Sequence, residues 1–488
     1  MDRPNKAISC TLVCLTLASV AKTDATNDKV AAQVTDVCKE KKYLTDIASK
    51  LAGDISKQEN DLSSLADNLR SWQLAAVSSD SRKRCLYTAL WLKASTLQRT
   101  ATRSVAENRK KITEAHQLIA QQLGRLEAIQ ELAKTKIAER RGKHKSTALT
   151  TVTIALQREG GGPQLCNDLG PEQHIDPSHP VADYSNLETI KLTALNKLVN
   201  LMPDDSLTIT GSGTCPNNNA EGEIGAAMLN CAYASGHALG GAATKKTIID
   251  IGTATGVFRA NEGMKTCATP ASTHSGQTPF LTRLGSAICE ALIAAANTVD
   301  TLENTDGTTL SSDNLIQNSI RNCDPAFSNI EKASDSTSNK ELVSYLKTSY
   351  GESNAVFKKT FITDTGASKV SLRQADKTDS KPISQITAPE QQAAAMSHAE
   401  GVRNAKELEA ARKDAPAADS KTTEEKCKGK PQGECKEENG CEFKEGECKT
   451  KEGMKVENDG KATNTTGSNS FVIHKAPLLL AVLVLFYF

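Results

Sequence analysis

Residues 30–72 read VAAQVTDVCKEKKYLTDIASKLAGDISKQENDLSSLADNLRSW, and the period of this stretch decides the fold class. Steps of four and three residues, taken alternately from Val30, land on Val34, Val37, Lys41, Leu44, Ala48, Leu51, Ile55, Gln58, Leu62, Leu65, Leu69 and Trp72. Only Lys41 and Gln58 are polar. An apolar residue every three to four positions keeps one stripe of a helix turned toward a partner, so this pattern predicts a coiled-coil helix. At about 1.5 Å per residue such a helix would run roughly 65–70 Å.

Working outward, Ser78-Ser79-Asp80-Ser81 breaks the pattern, because short polar side chains compete for the backbone hydrogen bonds of a helix interior. A second helical period follows, through Leu90, Ala94, Leu97, Ala101, Val105, Ile112, Ala115, Ile119, Leu123, Leu126, Ile129, Ala133 and Ile137. Two long helices joined by a short turn must run antiparallel. After about Gly142 the texture changes: Arg158 to Pro163 and Pro171 to Pro180 read as loop, and Ser206 to Asn219 as one short strand among turn residues. Ala220 to Pro279 is rich in Gly, Ala and Thr, which predicts a loop-rich head pinned by disulfides. Helices are expected again at about Thr282 to Leu302, Ser311 to Ile320, Lys340 to Tyr350 and Pro389 to Arg412. The expected fold class is mainly α: a long antiparallel coiled-coil hairpin, a head with minor β, and a small disulfide-stapled C-terminal domain.

That last domain follows a linker, Ala415-Pro416-Ala417-Ala418-Asp419-Ser420 and Lys421 to Glu425, which contains nothing able to bury a core. Cys427, Cys435, Cys441 and Cys448 then stand in a segment whose only large apolar residue is Phe443. So small a unit needs covalent staples. Structural zinc sites favour closer cysteine pairs, so two disulfides are expected, in any of three pairings.

The chain ends specify a compartment. Arg3 and Lys6 precede the apolar run Ala7 to Val20, and small residues follow, which is the order of a secretory signal cleaved after Ala21 or, as a second option, Ala25. At the other end Pro477 to Phe488 is apolar to the last residue, preceded by the spacer Ser470 to Pro477 and the small residues Thr466 to Ser470. Small attachment site, spacer and apolar tail make a glycosylphosphatidylinositol (GPI) signal. Ser468 is preferred as the attachment residue because it leaves small Ser470 two positions on; Asn469, the second choice, would leave bulky Phe471 there. Asn464-Thr465-Thr466 is the chain's one N-glycosylation acceptor.

Of 14 cysteines, Cys10 and Cys14 would leave with the signal. The remaining Cys38, Cys85, Cys166, Cys215, Cys231, Cys267, Cys289, Cys323, Cys427, Cys435, Cys441 and Cys448 are an even set, expected as disulfides in an exported chain. With 59 Lys and Arg against 58 Asp and Glu, no net field steers nucleic acid to the chain. Aromatic content of 4% beside abundant Ala suits closely packed helices. No catalytic motif occurs. Gly211-Ser212-Gly213 and Gly252 to Gly256 read as turns, His174 and His179 as solvated loop residues, and Glu127 with Glu131 as a wet helix face. No catalytic, cofactor-binding or metal-binding residue is assigned.

These features together resemble the variant surface glycoproteins of African trypanosomes. The resemblance is carried by Cys427 to Cys448 (CKGKPQGECKEENGCEFKEGEC), by Asn464 to Leu480 (NTTGSNSFVIHKAPLLL), and by Leu69 to Leu86 (LRSWQLAAVSSDSRKRCL), which looks like the turn of a class A N-terminal domain. It implies a homodimer with a coiled-coil stalk, Cys38 paired with Cys166, and a coat on the outer leaflet of the plasma membrane. Such a coat shields the cell and is met by host antibodies during antigenic variation. It further implies residues 1–21 as signal, 22–412 as the N-terminal surface domain, 413–426 as linker, 427–468 as the four-cysteine domain and membrane-proximal segment, and 469–488 as the removed GPI signal. The competing reading is a surface receptor for a host serum protein built on the same helical scaffold.

Overall fold

A computed structural model describes residues 27–148, 151–212, 232–233, 240–246, 252–335, 337–414, 427–435 and 441–450. The chain divides into two compact units, residues 1–401 and 402–488.

In the first unit the stretch from Val30 to Trp72 is helical with one interruption. Helix α1 (Lys29–Ala32) is capped by Asp28, and α2 (Val37–Ser78) restarts with Asp36 accepting from the Lys39 backbone N–H at 3.0 Å. The seam survives the break because Val30, Val34 and Val37 are all buried. Leu44, Leu51, Leu65 and Trp72 lose all contact with solvent, and none of the thirteen seam positions is exposed. After Ser79, Asp80 caps α3 (Ser81–Ala133), its carboxylate accepting from the Lys83 N–H at 3.0 Å. Side-chain capping of this kind stabilises a helix start by about 1 kcal/mol. The two helices, 42 and 53 residues long, pack along their apolar stripes as the antiparallel hairpin the sequence predicts.

The second helix is shorter than its period suggests. It stops at Ala133, and Ile137, placed by the sequence on a helix, lies instead in strand β1 (Thr135–Ala148) opposite Arg158 of β2 (Thr151–Gly160). The alternation Thr151-Val152-Thr153-Ile154 suits a strand, and Gly162 returns under the helix end with its N–H donating to the Lys134 carbonyl at 2.8 Å. A side chain at Gly162 would strike the Ala133 and Thr135 carbonyls. Arg158 to Gly160, expected as loop, therefore complete a ladder.

Two apolar cores form at opposite ends of the hairpin. One joins Leu44, Ile47 and Leu51 of α2 to Ile119 and Leu126 of α3, closed over by α4 (Phe280–Ala295) and by the strand pair β3 (Thr189–Leu192) and β4 (Thr253–Gly256). At Gly285 helix α4 touches the Gly256 carbonyl, so a Cβ there has no room. Helix α4 ends at Ala295, seven residues before the Leu302 that the sequence suggests, and Leu302 takes a left-handed φ of 61°. The other core lies beside the α2–α3 turn. There Trp72 and Leu90 meet Ile316 and Ile320 of α6 (Asn314–Cys323), which follows the short α5 (Gly307–Ser311), and Leu342 and Tyr350 of α7 (Lys340–Tyr350). Phe357 and Phe361 stack at 5.3 Å in the helical turns after α7. The Trp72 indole N–H donates to the Phe361 carbonyl at 2.7 Å, and the Tyr350 hydroxyl to the Leu86 carbonyl at 2.9 Å. A hairpin of residues 369–374 and 377–382 caps Leu74 and Ala75.

Helix α8 (Pro389–Asp414) runs two residues past the expected Arg412, and the division between the units falls within it. The second unit carries the short hairpin Cys441–Lys444 with Glu447–Thr450. The chain is thus mainly helical, with minor β and disulfides, as the sequence indicates.

Candidate functional site

The two polar residues in the seam hold polar layers. Gln58, 3% exposed, donates from Nε2 to the carbonyls of Ala294 (2.9 Å) and Ala295 (3.2 Å), the last turn of α4. Its Oε1 accepts from Asn108 of α3 at 2.9 Å, and Asn108 Oδ1 accepts from Asn297 at 3.1 Å. Lys41 donates to Gln130 Oε1 at 2.7 Å and to Asp168 at 3.1 Å. Both groups are satisfied, which is the condition for burying them without a large penalty.

Two carboxylates that sequence reasoning missed lock the chain onto α2. Asp28 accepts from the Tyr43 hydroxyl at 2.7 Å, the Asp183 N–H at 2.9 Å and the N-terminal amides of α1. Fully buried Glu40 accepts from the Thr193 N–H and hydroxyl and from Gln122. Burial pushes the Glu40 carboxyl upward, and those donors pull it back only in part. Burial, with Asp28 adjacent, drives the Tyr43 hydroxyl far above its usual range. Neither falls on a seam position: Asp28 stands two residues before Val30 and Glu40 one residue before Lys41.

Cys38 is bonded to Cys166 and Cys267 to Cys289, each joining a helix to a loop, and Cys85 is bonded to Cys323, joining α3 to the end of α6, all within the first unit. Cys215 and Cys231 lie outside the described residues. Among the described residues one trio, Asp36, Cys38 and Cys166, has the spacing to hold a metal ion. Both sulfurs are spent in the disulfide, however, so no thiolate is offered there.

The other residues weighed on sequence grounds stand apart. His174 is exposed, and His179 is half-exposed and paired with Asp176 at 2.8 Å. Exposed Glu127 and Glu131 reach Lys41 and Lys134 respectively. Gly211 and Ser212 form a short strand, and the run after Gly252 is β4. Between α3 and α4, His274, Ser286 and Glu290 border a hollow with room for about one water molecule. His274 Nε2 and Ser286 Oγ have no hydrogen-bond partner, so no base reaches the hydroxyl, and Glu290 accepts from the Ala271 N–H instead. A larger open hollow of about 250 Å³ lies beside Gln58, between Lys57 of α2 and the end of α4.

In the second unit Cys427 is bonded to Cys441 and Cys435 to Cys448, selecting one of the three pairings the sequence leaves open. The buried cluster there consists of these cysteines with Phe443 packed against them. Ala21, Ala25, Asn464, Ser468 and Asn469 lie outside the described residues. No helix among the described residues is long and apolar enough to cross a membrane.

Comparison with known proteins begins at this C-terminal region. The family profile "Variant surface glycoprotein ETAT" matches residues 418–485. Variant surface glycoprotein ETAT 1.2 of Trypanosoma brucei rhodesiense is 54% identical over 44 residues, which are 9% of this chain and 78% of that protein. The chain belongs to the variant surface glycoprotein family. A second member, variant surface glycoprotein ILTAT 1.22 of Trypanosoma brucei brucei, is 53% identical over 60 residues, and the match spans only 12% of either protein. The fold extends the likeness beyond this region. Variant surface glycoprotein VSGsur, in a structure bound to suramin, superposes with a TM-score of 0.57 on 77% of this chain and all of its own, at 20% identity.

Proposed function

We propose that the protein is a GPI-anchored variant surface coat glycoprotein that shields the plasma membrane of a trypanosome and takes part in immune evasion by antigenic variation. One observation carries the reading: the family match at 418–485 covers the four-cysteine segment and most of the apolar tail together. The proposed organisation is signal 1–21, surface domain 22–412, linker 413–426, four-cysteine and membrane-proximal segment 427–468, and a removed signal 469–488. Lipid is attached at Ser468, with Asn469 as the second choice, and a glycan at Asn464. The protein acts as a homodimer on the outer leaflet, has no enzymatic role, and is met by host antibodies. The helical hairpin suits this work, because loops displayed on a packed scaffold tolerate substitution while the seam does not.

The test is mass spectrometry of the protein released from intact cells by a phosphatidylinositol-specific phospholipase, with native mass measurement and copy number from the same sample. The expected result is a dimer dominating the surface proteome, with a lipid remnant at Ser468 and a glycan at Asn464. A mature chain that retains Phe488 would overturn the anchor. A scarce protein carrying a serum ligand would replace the coat with the receptor reading.

A further inference from the structure

Gly53 in α2, Gly124 in α3 and Gly401 in α8 share a setting. Each stands inside a long helix, and a Cβ placed on any of them would meet nothing within 4 Å. No close approach therefore requires glycine there. Its presence has a cost, because a glycine in a helix interior loses more backbone freedom on ordering than alanine does and weakens the helix locally. Whether that weakness can open the helix depends on what holds the chain on either side.

Gly53 lies between buried Leu51 and buried Gln58, and Gly124 between buried Gln122 and buried Leu126, so α2 and α3 are fastened on both sides of the glycine. Gly401 is fastened on one side only. Before it, Ala395 is buried with Leu74, Val370, Leu372 and Ile383, and Ala394 and Met396 pack against that cluster. After it, no residue from Val402 to Lys413 is buried, and Val402 and Leu408 are 43% and 63% exposed. The ion pair between Glu409 and Lys413 is open to water on both partners and adds little. The second half of this 26-residue helix thus has little beyond its own propensity to hold it, and so short a helix is marginal in water. The boundary between the two compact units falls at the same residue. We propose that Gly401 is a joint at which α8 unwinds, so that the two units turn independently and the flexible connection begins at 401, ahead of the proposed linker 413–426. The proposal does not depend on the anchor or on coat function.

The experiment is hydrogen–deuterium exchange of the full-length chain, resolved by mass spectrometry into short overlapping peptides across α8. In the parent protein the amides of 402–413 should exchange ahead of those of 392–400, with a step at Gly401. Gly401→Ala should slow exchange over 402–413 by about fivefold, the factor that alanine's advantage over glycine in a helix interior amounts to. Gly401→Pro, which cannot donate to the turn before it, should speed exchange there. Gly124→Ala is the control and should leave 402–413 within about twofold of the parent. Trypsin gives a second readout: cleavage after Arg403 and Lys406 follows the population of the open helix, so Gly401→Ala should slow it in the same proportion. Protection that declines smoothly toward Asp414 with no step at 401 would mean fraying from the helix end, and would overturn the joint. Equal protection on both sides of Gly401, or exchange and cleavage unchanged in Gly401→Ala, would do the same.

Discussion

Replacing Gln58 by leucine tests whether the seam is specified by apolarity alone. By the heptad rule Leu is the better residue, and burying it contributes about 1.5–3 kcal/mol. The structure argues the other way. Gln58→Leu removes the acceptor of the Asn108 amide and the donor to the Ala294 and Ala295 carbonyls. The Ala294 carbonyl keeps a backbone donor, from Asn297 at 3.3 Å, so two groups are orphaned. Each costs about 1–3 kcal/mol when buried. The adjoining hollow admits water to part of the layer, which holds the loss at the lower end of the difference, about 1–2 kcal/mol net destabilisation. Urea unfolding followed by far-ultraviolet circular dichroism, with disulfides intact, reads this as a lower midpoint at unchanged slope. Adding Asn108→Leu should recover part of the loss, because it removes the orphaned Asn108 amide, while the Asn297 amide it frees is exposed to water and only the Ala295 carbonyl stays unpaired. A Gln58→Leu protein more stable than the parent would refute the polar-layer argument.

Three further outcomes follow from the same packing. Trp72→Ala empties a fully buried site and breaks the bond to Phe361, so a loss of about 3–5 kcal/mol is expected in the same denaturation assay; a change under about 1 kcal/mol would mean the site is not core. Tyr43 and Tyr350 have hydroxyls raised by burial, so the folded state keeps protons that the unfolded chain releases above about pH 10. Their contribution is intact below that pH and lost as pH rises beyond it; in an alkaline melting series Tyr43→Phe should soften the decline, and an identical pH profile would remove Tyr43 from the account. In the second unit, where the cysteines themselves make up most of the buried cluster, each disulfide closes a short loop worth about 3 kcal/mol. Lys428 and Lys449 are already exposed, so mild reduction should act by loosening the stapled backbone until trypsin cleaves after them, and resistance after reduction would show that the unit folds without its staples.

The hairpin was legible because its signal is repetitive: eleven apolar seam positions outvote Lys41 and Gln58. The same redundancy hid the break at Gln33 to Asp36, since Val34 and Val37 keep the period while Asp36 caps a new helix. Ile137 fell on the helical count by coincidence, and no Gly or Pro marks the end of α3. Its terminus depends on contacts made by Gly162, far along the chain. Asp28 and Glu40 were illegible for a related reason. A carboxylate becomes a clamp only when Asp183 or Thr193 arrives from more than a hundred residues away. The four-cysteine segment announced its staples but not their pairing, which depends on the strand register of Cys441–Lys444 with Glu447–Thr450.

The separation of the two cores has a consequence for how the molecule breathes. Between them α3 buries little from Leu97 to Glu107 beyond Val105, while each end is closed by its own disulfide, Cys38–Cys166 at one and Cys85–Cys323 at the other. Amide hydrogens in the waist of the long helices should exchange with solvent through local openings well below the global unfolding free energy, while those beside Leu51 and Trp72 wait for their own lobe to open. The hairpin should then open locally lobe by lobe on one pair of helices before it unfolds as a whole.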